Sequence, residues 1–402
     1  MMFGRPGIPR YIHFQPPPPA LPVPFKNYCG WKDRSADFRP FADHVVNVSG
    51  GKDSTATYLL ALESGVPFRA VMADTGHEHA LTMQFVGEIS KITGGPEVEI
   101  VRADFSRAIA RKREIIARSW LADLVAGERG RWKWAGKGAV DEERPPEPSD
   151  SYAPARPIGN WVWKPGRSPI SDDDAAARIA LALEVLHPTG IPFLDLCLVK
   201  GRFPSQGARF CTEELKIMPL FEQVYEPMLR HGCRVVSWHG IRAEESAARA
   251  QLKPRQNNGG RYWIWRPLLH WSAQDVFTMH NRHGIAPNPL YREGMGRVGC
   301  FPCFGCRKEE LSHMVRRYPQ FIDVLKHWER LVAQASKRGL ATFFAADKIP
   351  GPHQRDPRLP MPGIERVVQW ALTGPDGWTL DLLKMPEEGG VYGCVSLYGQ
   401  CE

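Results

Sequence analysis

A short apolar run, His44-Val45-Val46-Asn47-Val48, passes directly into Ser49-Gly50-Gly51-Lys52-Asp53-Ser54 and then into a stretch whose Thr55, Tyr58, Leu59 and Leu62 recur at helical spacing. Strand, glycine loop, helix is an order that few folds accommodate. The two glycines let the backbone curl so that consecutive N–H groups face one anion. The helix that follows aims its N-terminal dipole at the same point. Lys52 adds a positive charge, and Ser49 and Ser54 add hydroxyl donors. The loop is not of the G-x-x-x-x-G-K-[ST] type, which occurs nowhere in the chain. The plain alternative, a glycine turn with an incidental lysine, does not account for six suitable residues in this context. Phe68 to Ala73 (FRAVMA) reads as a second buried strand ended by Asp74-Thr75-Gly76, Leu81 to Ile92 as a second helix, and Val98 to Val101 as a third strand. This alternation predicts a parallel sheet with crossover helices.

The rest of the 402 residues divides around that unit. Residues 1–40 are proline-rich, with Pro16-Pro17-Pro18-Pro19, and read as an extended arm over the surface or against a partner subunit; a disordered arm and a homo-oligomer both stay open. Residues 41–307 read as one domain built around the anion-facing loop, interrupted by an insertion at 127–170 that mixes Gly, Pro, Arg and Trp without periodicity. Helical patterning returns at Asp172 to Leu186 and Thr212 to Leu229, and Arg234 to His239 reads as another strand. Residues 308–402 read as a mainly helical C-terminal extension and tail. With 43% hydrophobic and 24% charged residues, the composition is that of a globular protein. No run approaches the roughly 18 to 20 apolar residues of a membrane span, and prolines replace the apolar core of a signal peptide, so the expected location is the cytoplasm and no membrane partner is expected. The net charge of +8 suits an anionic partner, a nucleotide or a nucleic acid, and equally a merely basic enzyme. Within the insertion Arg129, Arg131, Lys133 and Lys137 interleave with Trp132 and Trp134, which suits a nucleic-acid strand by charge and stacking, or a solvated basic loop.

Val48-Ser49-Gly50-Gly51-Lys52-Asp53-Ser54 resembles the PP-loop of the adenine nucleotide α-hydrolase superfamily, which includes ATP pyrophosphatases and the phosphoadenosine phosphosulfate (PAPS) reductase family, with its phage-type and DNA-phosphorothioation relatives. Asp74-Thr75-Gly76-His77-Glu78 resembles the family's DTG segment, and Gly240-Ile241-Arg242-Ala243-Glu244-Glu245-Ser246-Ala247-Ala248-Arg249 its G-x-R-x-x-E-S-x-x-R segment. Arg266-Pro267-Leu268-Leu269-His270-Trp271-Ser272-Ala273-Gln274-Asp275-Val276 and Asn288-Pro289-Leu290-Tyr291 extend the likeness, which covers roughly residues 44–307. The resemblance implies an α/β fold, a Rossmann-like parallel sheet with helices on both faces and the ligand at the carboxyl ends of the strands. It implies that Ser49, Gly50, Gly51, Lys52, Asp53, Ser54, Asp74, Thr75, Gly76, Arg242 and Arg249 hold ATP or PAPS, with Mg²⁺, and that Lys52, Asp53 and Arg242 serve the reaction. Arg242 and Arg249 suit bidentate phosphate contacts, although a helical 243–250 allows Arg249 to pair with Glu245 instead. Ser272, with Asp275 three residues on, reads as a helix N-cap.

Nine cysteines, unevenly spread, point to metal or redox chemistry rather than a disulfide framework. Cys300-Phe301-Pro302-Cys303-Phe304-Gly305-Cys306 brings three thiols within reach of one centre, a [4Fe–4S] cluster or zinc. By resemblance the fourth ligand is Cys211, although cluster-containing sulfonucleotide reductases carry a Cys-Cys pair at that place and no third cysteine after C-x-x-C. Cys29, Cys197 and Cys233 read as ordinary thiols. Three functions compete: an ATP pyrophosphatase that activates a substrate for sulfur transfer from a donor, a sulfonucleotide reductase served by a thiol reductant protein, and a non-catalytic nucleotide binder. The intact loop with Lys52 favours ATP, because a β,γ-phosphate tail needs that charge and a sulfonucleotide lacks the tail. The chain ends Tyr398-Gly399-Gln400-Cys401-Glu402 in place of the reductases' Glu-Cys-Gly-x-His nucleophile segment.

Overall fold

The computed structural model describes residues 43–134, 136, 143–146, 158–164, 166–345, 348–349 and 362–373. The proline-rich arm, Cys29, Lys137 and the tail that carries Cys401 lie outside the described residues.

The strand–loop–helix unit forms as its pattern predicts: β1 (Asp43–Asn47), α1 (Lys52–Ser64), β2 (Phe68–Ala73), α2 (Ala80–Thr93) and β3 (Val98–Val101). Then come α3 (Ser106–Ala126), a ribbon of β4 (Arg131–Trp134) and β5 (Trp161–Lys164), α4 (Asp172–Val185) and α5 (Pro192–Lys200). A continuous helical run over 210–230, here α6, contains two π-helical stretches at Glu213–Ile217 and Phe221–Tyr225. It leads into β6 (Val235–Trp238), β7 (Arg255–Asn258) and β8 (Tyr262–Trp265), then α7 (Ala273–Arg282), α8 (Lys308–Arg317), α9 (Gln320–Gln334) and α10 (Ile364–Ala371). The described helices include none long and apolar enough to cross a membrane.

Six strands make one sheet in the order β3-β2-β1-β6-β8-β7. Five run parallel; β7 is antiparallel to β8 and closes one edge, so the sheet is mostly rather than wholly parallel. The strand order reverses direction at β1, with β2 on one side and β6, about 190 residues later, on the other; Val46 pairs with Trp238 across that junction. Such a reversal opens a crevice at the carboxyl ends of the two strands.

Alternation along the strands divides the core. Val46, Ala70, Met72, Val236 and Trp238 face α1, α2 and α7, where they pack with Tyr58, Leu59, Ile89 and Met279. Val45, Val71 and Val235 face α6 and pack with Val224 and Tyr225. A third cluster combines Ile116 and Leu124 of α3 and Phe193 of α5 with Leu325 and Trp328 of α9, Val367 of α10, and Phe343 and Phe344 from the segment between α9 and α10. The C-terminal helices therefore share a core with α3 to α5. The insertion at 127–170, expected to be irregular, is corrected in part: β4 and β5 pair antiparallel, with Trp134 opposite Trp161. Trp132 is 6% exposed and donates its indole N–H to the Pro146 carbonyl at 3.0 Å, so it is not available to stack on a base.

Candidate functional site

The loop after β1 lies at the crevice. Gly50 has φ 72°, and a Cβ there would stand 2.6 Å from Thr82 Cγ2, so a left-handed turn pressed against α2 requires glycine. Ser54 ties the loop together: its hydroxyl receives the Ser49 amide at 3.0 Å and donates to the Gly51 carbonyl at 3.0 Å. Gly51 caps α1 without a side-chain bond, so the first-turn N–H groups lack a side-chain cap. The exception is the Lys52 amide, which donates to the Tyr291 hydroxyl at 3.0 Å. Asn288 donates to the Gly50 carbonyl at 3.1 Å, and the His280 ring meets the Lys52 carbonyl at 2.8 Å. Elements near residue 290 thus brace a loop near residue 50.

The charges are arranged around Asp53. Its Oδ2 lies 2.8 Å from Lys52 Nζ and its Oδ1 2.6 Å from Arg242 Nε. Lys52 and Arg242 are both buried. Gly240 permits this approach, because a Cβ there would lie 2.7 Å from the Asp53 carbonyl oxygen. Arg242 also pairs with Glu244 at 2.5 Å. Arg249 is 40% exposed and pairs with Glu245, the (i, i+4) alternative weighed from the sequence, and it does not join the buried group.

At the end of β2, buried Asp74 accepts the Gly76 amide at 2.7 Å and Arg102 Nε at 2.7 Å. Burial works to raise the Asp74 carboxyl, but the Gly76 amide, Glu78 and Arg102 together hold it below the usual range. Glu78, which accepts the Thr75 amide at 3.0 Å, is pushed up, chiefly by burial. His77 is buried, stacked on Phe193 at 4.6 Å, and meets the Pro302 carbonyl at 2.9 Å; burial lowers it to about 4. These contacts fasten the 300–306 segment to the DTG turn, and Cys300 Sγ lies 3.7 Å from Thr75 Oγ1.

The cysteines divide. Cys211, Cys300 and Cys303 stand in one electrostatic neighbourhood with Lys216 and Glu78. Lys216 is raised, first by Cys300, and burial pushes the Cys211 thiol up to about 11. Cys306 is buried beside Lys348, whose ammonium bonds its carbonyl, and burial raises its thiol to about 12. The donor chemistry suits iron–sulfur or zinc, but among the described residues no group of three or more His, Cys, Asp or Glu side chains is arranged to hold a metal ion. As placed, Cys211, Cys300, Cys303 and Cys306 form no single-ion site. Cys197 is buried and Cys233 partly so.

Tyr291, His280, Asn288, Glu78, His77, Lys216 and His239 were given no role by sequence reasoning. Tyr291 and Asn288 lie in a motif noted for resemblance alone. The signal missed for Lys216 was a lysine between Leu215 and Ile217, five residues after Cys211; Glu78, among the polar residues of the DTG turn, carries no such signal.

The model of the phosphoadenosine phosphosulfate reductase domain matches residues 43–122 and 203–306, the two segments that build this crevice. An uncharacterized 37.8 kDa protein in the gpa 5′ region of Escherichia phage 186 is 40% identical over 384 residues, which covers 91% of this chain and 99% of that protein. An adenosine 5′-phosphosulfate reductase of Allochromatium vinosum is 36% identical over 81 residues, 19% of this chain and 31% of that protein. Among solved structures, the phosphate complex of phosphoadenylyl-sulfate (PAPS) reductase from Candida auris is similar at 12% identity and TM-score 0.35, covering 70% of this chain and 90% of that one.

Proposed function

We propose, for a chain that belongs to the phosphoadenosine phosphosulfate reductase family of the PP-loop superfamily, that it binds ATP at the loop 49–54 and cleaves it between the α- and β-phosphates. The observation that carries this reading is the Lys52–Asp53–Arg242 group. Two buried cations share one carboxylate beside a helix N-terminus, at 2.8 and 2.6 Å. An adenosine phosphosulfate has no β,γ-phosphates for Lys52 to meet, whereas a triphosphate matches the charge and the uncapped amides. A substrate oxygen attacks the α-phosphorus, the bond to the bridging oxygen breaks, and pyrophosphate leaves with the electron pair. A sulfur nucleophile then attacks the substrate atom that bears this oxygen, the bond from that atom to the oxygen breaks, and AMP leaves with the oxygen and the electron pair. Lys52 and Arg242 stabilise charge on the departing pyrophosphate, an effect commonly worth about 10²- to 10³-fold in rate. Mg²⁺ enters with the nucleotide as MgATP, since both Asp53 oxygens are engaged by cations. The cysteine wall beside Lys216 is the natural place for the sulfur donor or thiol reductant to approach.

Purified protein with MgATP is expected to release AMP and pyrophosphate, and Lys52→Ala to reduce this about 10²-fold. ADP as the sole product overturns the reading. Relatives named adenosine 5′-phosphosulfate reductases favour a second reading, in which a thiol releases sulfite from a sulfonucleotide. Sulfite formation without any pyrophosphate from ATP decides for it.

A further inference from the structure

The crevice contains a hydrogen-bonded network whose protons can be assigned one by one. Asn47 at the end of β1 places Nδ2 2.9 Å from the Trp238 carbonyl oxygen and 2.9 Å from Ser237 Oγ. A carbonyl only accepts, so the Trp238 contact fixes which end of the Asn47 amide is nitrogen. Asn47 Oδ1 must therefore accept the Tyr225 hydroxyl proton, 3.1 Å away. Tyr225, buried and with its hydroxyl pushed up to about 12 chiefly by burial, has no other proton to give. Its 2.8 Å contact with Ser237 Oγ is then a bond donated by Ser237. Ser237 Oγ has spent its only proton and accepts from Asn47. The remaining contact, His239 Nε2 at 2.9 Å, is thus an N–H donated by His239. Every other assignment sets two lone pairs or two protons against each other.

The imidazole is consequently held with its proton on Nε2 and a bare lone pair on Nδ1. Burial, with Arg266 nearby, lowers His239 to about 4, so the ring is neutral. The side chain is only half-buried, and Nδ1 has no hydrogen-bond partner among the described residues. His239 follows β6 directly at the strand reversal, and its neighbour Gly240 packs on Asp53. The ring therefore stands at the edge of the phosphate loop's crevice.

We propose that His239 Nδ1 accepts a hydrogen bond from the bound nucleotide, an inference that rests on the adenine-nucleotide reading above. The ligand group must be a donor: a ribose hydroxyl or the exocyclic amine of adenine. Phosphate oxygens, which only accept, are turned away from this side, toward Lys52 and Arg242. The network makes His239 a fixed selector rather than a proton carrier, because its three supporting groups hold one tautomer.

The experiment measures binding of ATP, 2′-deoxyATP, 3′-deoxyATP and the 6-deamino analogue (purine riboside triphosphate) to the full chain. His239→Gln keeps an N–H for Ser237 but has no acceptor at the Nδ1 position; His239→Asn keeps an acceptor near Nδ1. His239→Gln is expected to bind ATP about 3- to 10-fold more weakly, as for one neutral hydrogen bond, with the melting temperature little changed, and His239→Asn to retain most of the affinity. One analogue should show the same loss in the wild type and no further loss in His239→Gln, which names the donor. If Gln disturbs the fold, His239→Ala supplies the same comparison. Equal ATP affinity in wild type and His239→Gln, with no analogue coupled to position 239, overturns the proposal alone. A wild-type protein that binds no adenine nucleotide overturns the underlying reading as well.

Discussion

At the scale of single residues, Asp53 decides how the site behaves. Its carboxylate separates two buried cations, so Asp53→Asn leaves Lys52 and Arg242 facing each other. Breaking a buried pair of this kind costs about 3 kcal/mol, and the loss is expected in urea unfolding. Pyrophosphate should restore it, raising the melting temperature of the variant more than that of the wild type. Gly50→Ala meets both a left-handed φ and a 2.6 Å contact with Thr82, and is expected to abolish nucleotide binding in calorimetry. The glycines, Lys52 and the DTG turn were legible because they are contiguous and local. Tyr291 and His280 were not, because their meaning lies in bonds to Lys52 that span 239 and 228 residues. His239 was invisible for the same reason: its tautomer is fixed by Asn47, which a strand pattern cannot place beside it.

At the scale of elements, the caps and the periodicity read correctly. Ser272 accepts the Asp275 amide at 3.2 Å while Asp275 accepts the Ser272 amide at 2.8 Å, a reciprocal cap on α7. Ser272→Ala should lower stability by about 1 kcal/mol in chemical denaturation. Because α7 carries His280 to the Lys52 carbonyl, the variant should also bind ATP more weakly at temperatures where α7 frays. The strands at 43–47, 68–73, 98–101 and 235–238 were plain as apolar runs between turn residues. The strands β7 and β8 and the ribbon were not recognised. Each is four residues long, and Arg255–Asn258 has no apolar residue to mark it. The helix α3 has a weak apolar stripe of Ile109, Ile116, Trp120 and Leu124, with five basic or acidic residues in its first half, and it stands out only once α4 and α5 pack against it.

At the scale of the whole molecule, α3 to α5 and α8 to α10 share one core, so the boundary expected at residue 307, where the family likeness ends and helical patterning begins, crosses packed side chains. A chain ended at 307 would lose Trp328, Phe343 and Phe344 from that core, and is expected to lack a cooperative unfolding transition. Lys112 joins the layers by donating to the carbonyls of Leu198 and Ala335, each at 2.7 Å. Burial lowers its amine from 10.5 to about 8. The unfolded chain therefore holds this proton more tightly, and Lys112 makes the wild type more stable as pH rises through that window. Lys112→Met should accordingly be less damaging at pH 7 than near pH 10 when the two urea midpoints are compared.

The pairing of β1 with β6 also sets a timetable. Asp53 and Arg242 are 189 residues apart, a distance that translation covers in about 10 to 40 s. For that interval the nascent chain carries a phosphate loop whose lysine has only its sequence neighbour as counter-ion. The second cation arrives together with β6, so the loop acquires its full positive charge only once the strand that completes the crevice has been made.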